Sequence, residues 1–399
     1  MFGIWEQDGG AIVNYYLLKM MNYLEPNHKF HCIPKVVEQL QGKELSFASF
    51  YPIRPKEFGV VPTEIIDLMN KKQIPILNMF HIPWEYFPIV DPVHNIGGKI
   101  ILHQTIHWDT DVLFQSDKLK DIDVWVTPTD FAKRILASKG IDNNKMVTIP
   151  HGVDIDKFYP HKTALRKNLG IEDDEIVITW VGRAQLTKGA HAVIPIIRQI
   201  LEEYPKVKII SRAGAFRGVQ KSMEMGYILD RMSNRFGNRF LYIPNWVEPS
   251  YQEELMASTD IGLCPSGHEG FSLPPLEWMA SKVPVALSSI ANHLELFNHE
   301  NFKYGVFMDC TFDAEIVNMY PSNPEGTMVK VPKPDVIYGT LKWLIENPDE
   351  RKYMGENGYK RVREHYNLAK IADAWLNLMD NVLGEESMDD RIKKELLIQ

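Results

Sequence analysis

With 399 residues the chain is long enough for two domains, each with its own core, and 45% hydrophobic with 24% charged residues is the composition of a soluble globular protein. A net charge of −8 works against non-specific attraction to nucleic acid, so no nucleic-acid partner is expected, whereas a local basic patch, and with it peripheral membrane contact, stays open. Cys32, Cys264 and Cys310 are widely spaced and make no metal-type pair, which suits a reducing compartment, and no apolar run or leader pattern suggests a span or signal peptide; a cytoplasmic protein is expected.

Phe2 to Trp5 is a short apolar run, followed by Gly9-Gly10 and a helical pattern through Tyr15, Leu18, Met21 and Leu24: strand, glycine turn, helix. Leu45 to Tyr51, Ile74 to Phe80 and Lys99 to Leu102 are further strands, with a helix over Thr63 to Lys71 capped by Thr63. His81 follows one of these strands; His103, His107 and Asp109 follow another. A histidine at a strand end is more often structural than catalytic. Asp123 to Thr129 reads as a strand leading to a helix over Phe131 to Lys139 that Gly140 stops.

The charged, turn-rich run from His161 to Asp174 reads as the interdomain linker and the entry to the second domain. Glu175 to Val181 is a β-branched strand followed by Gly182-Arg183 and Lys188-Gly189, then a helix over Ala192 to Glu203. An arginine and a lysine at a strand end can neutralise a diphosphate, although solvated cations are the commoner fate of such residues. A strand over Val207 to Ser211, a helix through Met225 and Leu229, and a strand and turn over Phe240 to Val247 follow. The segment from Thr311 to Pro334, rich in Pro, Asn and Ser, reads as a surface insertion. Helices are expected over Lys352 to Arg363 and Leu368 to Leu383, before a charged end from Glu385.

The most informative stretch is His268 to Ala280. It begins just after a buried strand pattern, Ile261 to Pro265, and ends in a helix pattern, so it is a strand-loop-helix junction. Unpaired N–H groups at such a junction suit a phosphate, Gly270 lets backbone approach it, and Pro274-Pro275 form a first turn that needs no N–H partners. Glu269 and Glu277 flank it, eight positions apart.

Glu269 to Glu277 resembles the E-x7-E signature of retaining glycosyltransferases with the GT-B fold, in the form found in family 4. Three further segments carry the likeness: Ile100-Ile101-Leu102-His103, Ile149-Pro150-His151-Gly152-Val153-Asp154, and Val181-Gly182-Arg183 with Lys188-Gly189. The resemblance covers most of 140 to 383 and only patches before that. It implies an α/β chain of two Rossmann-like domains facing each other across a cleft: residues 1–162 on the acceptor side, 163–365 for the nucleotide-sugar donor, a helix over 366–385 crossing back to the first domain, and a charged tail, 386–399. The chain departs from the family pattern at Ser272 (usually glycine), Trp278 (usually alanine), Lys282-Val283 and Ser289 (usually aspartate).

The resemblance implies metal-independent transfer of a hexose, with retention, from a UDP- or GDP-sugar to a hydroxyl of a glycan, lipid or small-molecule acceptor. No cofactor besides the donor is called for. Arg183 and Lys188 would hold the diphosphate with the backbone of Gly270, Phe271, Ser272 and Leu273; Glu269 and His103 would contact the sugar and Glu277 the ribose. Gly9 and Gly10 would face the diphosphate, Ile243 and Trp246 the base, and His81, His107 and Asp109 the acceptor. A sugar-nucleotide epimerase and a catalytically silent nucleotide-sugar binding protein are the alternatives. An NAD enzyme fits worst, because no G-x-G-x-x-G follows the first strand.

Overall fold

The structure, a computed structural model, describes residues 2–3, 9–34, 47–50, 62–80, 87–106, 117–214, 220–245, 247–297, 303–312 and 330–384. The chain divides into two compact units, Met1–Asp154 with His365–Gln399, and Ile155–Glu364.

In the first unit, β1 (Phe2–Gly3) leads to α1 (Gly9–Leu24), followed by β2 (His31–Pro34), β3 (Ser49–Phe50), α2 (Pro62–Lys72) and β4 (Ile76–Phe80). Then come α3 (Val90–Asn95), β5 (Lys99–His103), β6 (Val124–Thr127), α4 (Asp130–Ser138) and β7 (Met146–Thr148). All pairings are parallel, in the orders β1-β2-β3 and β4-β5-β6-β7, with β1 beside β4. Parallel strands need crossovers, and the helices between them supply these. The Thr129 hydroxyl caps α4 by accepting from Ala132 N at 3.2 Å. Pro62 opens α2, so Thr63 lies inside that helix and is not its cap.

In the second unit, α5 (Ala164–Asn168) precedes β8 (Ile176–Arg183), α6 (Ala190–Glu203), β9 (Val207–Gly214), α7 (Gln220–Phe236), β10 (Phe240–Tyr242), α8 (Pro249–Ala257) and β11 (Ile261–Cys264). The chain continues through α9 (Leu273–Ala280), β12 (Val285–Ser288), α10 (Ala291–Phe297), β13 (Gly305–Met308), β14 (Cys310–Phe312), β15 (Lys330–Pro332), α11 (Pro334–Glu346) and α12 (Pro348–His365). The sheet is wholly parallel in the order β10-β9-β8-β11-β12-β13. From β8 the chain winds outward to β9 and β10, then returns to β11 and winds the other way. The topological switch point therefore lies between β8 and β11, and ligands of doubly wound sheets bind at the carboxyl ends of the strands there.

One face of this sheet buries Ile178, Trp180, Ile209 and Leu263 against Val193, Ile196 and Ile200 of α6 and Ile337 and Leu341 of α11. The last helix, α13 (Leu368–Leu383), belongs to the first unit. Asn367 caps it, accepting from Ala369 N at 3.0 Å, and its stripe of Ile371, Trp375 and Leu378 packs with Leu17 and Met21 of α1.

The run from His161 to Asp174, expected as the linker and the entry to the second domain, contains α5: Thr163 caps that helix, and Arg166 donates to Asp260 Oδ2 and Ser258 O at 3.0 Å and to Glu175 O at 2.7 Å. Of the segment expected as a surface insertion, residues 313–329 lie outside the described residues; β14 and β15, an antiparallel pair, bound them, and Val331 joins the core. Helix α11 and strand β13 were not expected; Pro334 at the helix start and buried Ile337, Leu341 and Leu344 are the signal for α11.

Candidate active site

Two loops meet at the switch point. The first leaves β8 at Arg183 and makes a short turn over Leu186–Lys188 that Gly189 ends. Gly189 has φ +74°, and a Cβ there would lie 2.4 Å from the Pro265 carbonyl oxygen, so only glycine fits. The second loop runs from Pro265 to Ser272. Gly267 N donates to Thr187 O at 2.8 Å, the Ser288 hydroxyl donates to Ser266 O, and the Asn292 side-chain amide donates to Glu269 O.

Lys188 Nζ lies 2.7 Å from Glu269 Oε1, with the two side chains only 20% and 14% exposed. Burial alone would raise the Glu269 carboxyl. The Lys188 charge and its hydrogen bond, with help from the Ser266 hydroxyl, outweigh that and lower it to about 2. Glu269 is thus a fixed anion and can only accept hydrogen bonds. Glu277, in α9, has the opposite environment: burial raises its carboxyl, partly offset by Gln252 and by the Arg212 charge on β9. Gln252 Nε2 donates to Glu277 Oε2 at 3.0 Å. Two carboxylates at one junction are therefore pushed apart in acidity.

Gly270, Phe271 and Ser272 are buried and Leu273 is half-buried. Ser272 occupies the left-handed region, φ +82°, just before α9. Because Pro274 and Pro275 carry no N–H, Gly270 through Leu273 supply the backbone donors of this corner. Beneath lies a buried polar floor: His293 Nδ1 donates to Ser288 O at 3.0 Å, and its Nε2 lies 3.9 Å from Cys264 Sγ. Burial holds His293 down at about 4, hence neutral, and pushes the Cys264 thiol up to about 11. His268, beside Glu269, is lowered to about 4 by burial and then by the Lys188 charge.

Of the other expected site residues, Arg183 is exposed at the end of β8, and Ile243 follows β10, donating from its backbone to Ser211 O at 2.8 Å. In the first unit, Gly9 and Gly10 open α1. His103 ends β5, buried, with ring centroids 4.7 Å from Phe80, 5.2 Å from His151 and 5.0 Å from Trp375. His81, His107, Asp109 and Trp246 lie outside the described residues. Gln252, Arg212, Asn292 and His293 were not singled out from sequence; they come from elements distant in the chain and carry no motif of their own.

A family model described as "Glycosyl transferases group 1" matches residues 161–361, just over half of the chain and nearly the whole of the second unit. The chain belongs to the glycosyl transferases group 1 family. Among relatives of this family, an uncharacterised glycosyltransferase of Methanocaldococcus jannaschii is 26% identical over 264 residues, 65% of this chain and 60% of that protein. A processive diacylglycerol alpha-glucosyltransferase of Acholeplasma laidlawii is 26% identical over 198 residues, 47% of this chain and 57% of its own length. The matches thus span less than two-thirds of either relative. The solved structure of Anabaena HepE in complex with UDP and glucose superposes with a TM-score of 0.72 at 13% identity, covering 95% of this chain and 98% of that one. The two units have the Rossmann-like folds of a GT-B glycosyltransferase. Among the described residues no helix is long and apolar enough to cross a membrane, and no cluster of three His, Cys, Asp or Glu side chains could hold a metal ion.

Proposed function

We propose that this protein is a retaining glycosyltransferase that moves a hexose from a nucleotide diphosphate sugar, a UDP- or GDP-sugar, to an acceptor hydroxyl without a metal. The observation that carries the reading is the Lys188–Glu269 pair, 2.7 Å apart, joining the loops after β8 and β11 at the switch point. It supports a division of labour. Lys188, Arg183 and the N–H groups of Gly270 to Leu273 neutralise the departing diphosphate. Glu269, held ionised, accepts hydrogen bonds from the sugar hydroxyls, and Glu277 accepts from the ribose.

The bond from the anomeric carbon to the phosphate oxygen breaks and a bond from that carbon to the acceptor oxygen forms on the same face. The acceptor proton passes to the leaving phosphate oxygen. Glu269 does not supply or take this proton, because a carboxyl lowered to about 2 stays ionised through the reaction. The acceptor is a hydroxyl compound, a class to which the diacylglycerol named for the Acholeplasma relative belongs.

The test is nucleotide release from UDP-glucose, UDP-galactose, UDP-N-acetylglucosamine and GDP-mannose, with the product anomer read by NMR. Turnover of one donor with retention, undiminished by a chelator and abolished in Glu269→Ala, is the expected result. Absence of turnover with every donor, inversion, or a strict metal requirement overturns the reading.

A further inference from the structure

The Glu269 carbonyl sits in an irregular loop and is held from a different element. The Asn292 side-chain amide, at the start of α10, donates to it, while Lys188 holds the carboxylate of the same residue at 2.7 Å. Both ends of Glu269 are therefore fixed, one by α10 and the other by the loop after β8. We propose that Asn292 is a positioning residue for the transfer step: by holding the Glu269 carbonyl it fixes the Glu269–Gly270 peptide plane, and so the directions of the Glu269 carboxylate and the Gly270 N–H. This rests on the sugar-transfer reading above.

The geometry follows from the peptide bond itself. In a trans peptide the carbonyl and the next N–H point in opposite directions. Tying the Glu269 carbonyl toward α10 therefore turns the Gly270 N–H away from that helix. A loop without such a tie would let this plane rotate, because glycine on its far side offers little resistance.

The anchor is itself rigid. Asn292 is 3% exposed and its neighbour His293 is fully buried. The Ser288 carbonyl can only accept, so it fixes the hydrogen of His293 on Nδ1; Nε2 then faces the Cys264 thiol. Ser288 in turn donates to Ser266 O, so β12 and α10 grip the loop at Ser266 and again at Glu269. Displacement of a positioned group by about 1 Å can cost about 100-fold in rate. A single lost carbonyl bond is thus able to show as lost turnover in a folded protein.

The experiment measures UDP release from UDP-glucose, or GDP release from GDP-mannose if that is the donor turned over. It uses the full chain and the variants Asn292→Leu, which has similar volume and no donor, and Asn292→Asp, which puts an acceptor where the donor was. Asn292→Ser replaces Leu if Leu prevents folding. The expected result is a fall in kcat of about 10- to 100-fold in each, with native melting behaviour. A purely structural residue would add its cost to any other. In a Glu269→Gln background, the Leu substitution should therefore cost clearly less than it does in the wild type, because the part of its effect that runs through the Glu269 carboxylate is already lost. Unchanged kcat, or a loss that is fully additive with Glu269→Gln, overturns the inference while leaving the transferase reading intact. A wild-type protein that turns over none of the donors overturns that reading, and this inference with it.

Discussion

Trp278 packs so closely over Gly262 that a Cβ at position 262 would lie 2.4 Å from the indole ring. The glycine opposite the tryptophan in β11 makes the room for its ring. Trp278 is fully buried, so α9 and the strand beneath the loop are fitted together through this pair. Gly262→Ala should therefore destabilise the protein by about 1–3 kcal/mol, the usual cost of overpacking a core. Urea unfolding checks this. In a Trp278→Ala background the same change should cost far less, and equal costs in both backgrounds would show that the contact is not the cause.

Ser272 is held at φ +82° at the N-cap of α9, with its hydroxyl 3.6 Å from Cys264 Sγ. A side chain in this region costs about 1–2 kcal/mol, which glycine avoids at an entropy cost of about 0.5–1 kcal/mol. Ser272→Gly should raise stability by several tenths of a kcal/mol or more, read as a higher Tm. A lower Tm would mean that the serine hydroxyl contributes more than the strain removes.

Glu277 is half-buried, and the burial of its carboxyl weakens its acidity, with Gln252 and Arg212 as its described partners. If it receives the ribose hydroxyls, Glu277→Ala should narrow the preference for UDP over 2′-deoxy-UDP in calorimetric titrations. Gln252→Leu should weaken UDP binding by about 1 kcal/mol, the net worth of a hydrogen bond. A preference unchanged by Glu277→Ala would remove the residue from the ribose.

The residues proposed for the donor site of the second unit come in local groups along the chain: Arg183 with Lys188 and Gly189, Glu269 with Gly270 and Glu277. Their pairing was not legible in the sequence. Lys188 and Glu269 meet only because β8 and β11 are neighbours, with two strands and three helices between them in the chain. Asn292 on the Glu269 carbonyl and Trp278 over Gly262 are contacts of the same non-local kind, and neither residue type announces its partner. The buried, aromatic setting of His103 was hidden likewise, since Trp375 reaches it from the far end of the chain. Helix α11 escaped notice because a proline-, serine- and asparagine-rich segment runs straight into it.

The Lys188 pairing with Glu269 and its proposed contact with the diphosphate can be separated by a single substitution read against pH. In the native protein the Glu269 carboxyl is lowered to about 2, so its contribution to stability is complete above its ordinary value of 4.5 and is lost as the pH falls through about 2. Glu269 therefore imposes no acid limb on turnover above about pH 4. Lys188→Met removes the largest influence opposing burial, so the carboxyl should titrate at a higher pH and an acid limb should appear in kcat/KM within the range the wild type tolerates. If Lys188 also holds the diphosphate, as proposed, the same variant should bind UDP more weakly by about 1.5–3 kcal/mol. Rate profiles from pH 4 to 9, with calorimetry at pH 8, check both effects. A weaker affinity with an unmoved acid limb would confine Lys188 to the phosphate, whereas a moved limb with unchanged affinity would make it a partner of Glu269 alone.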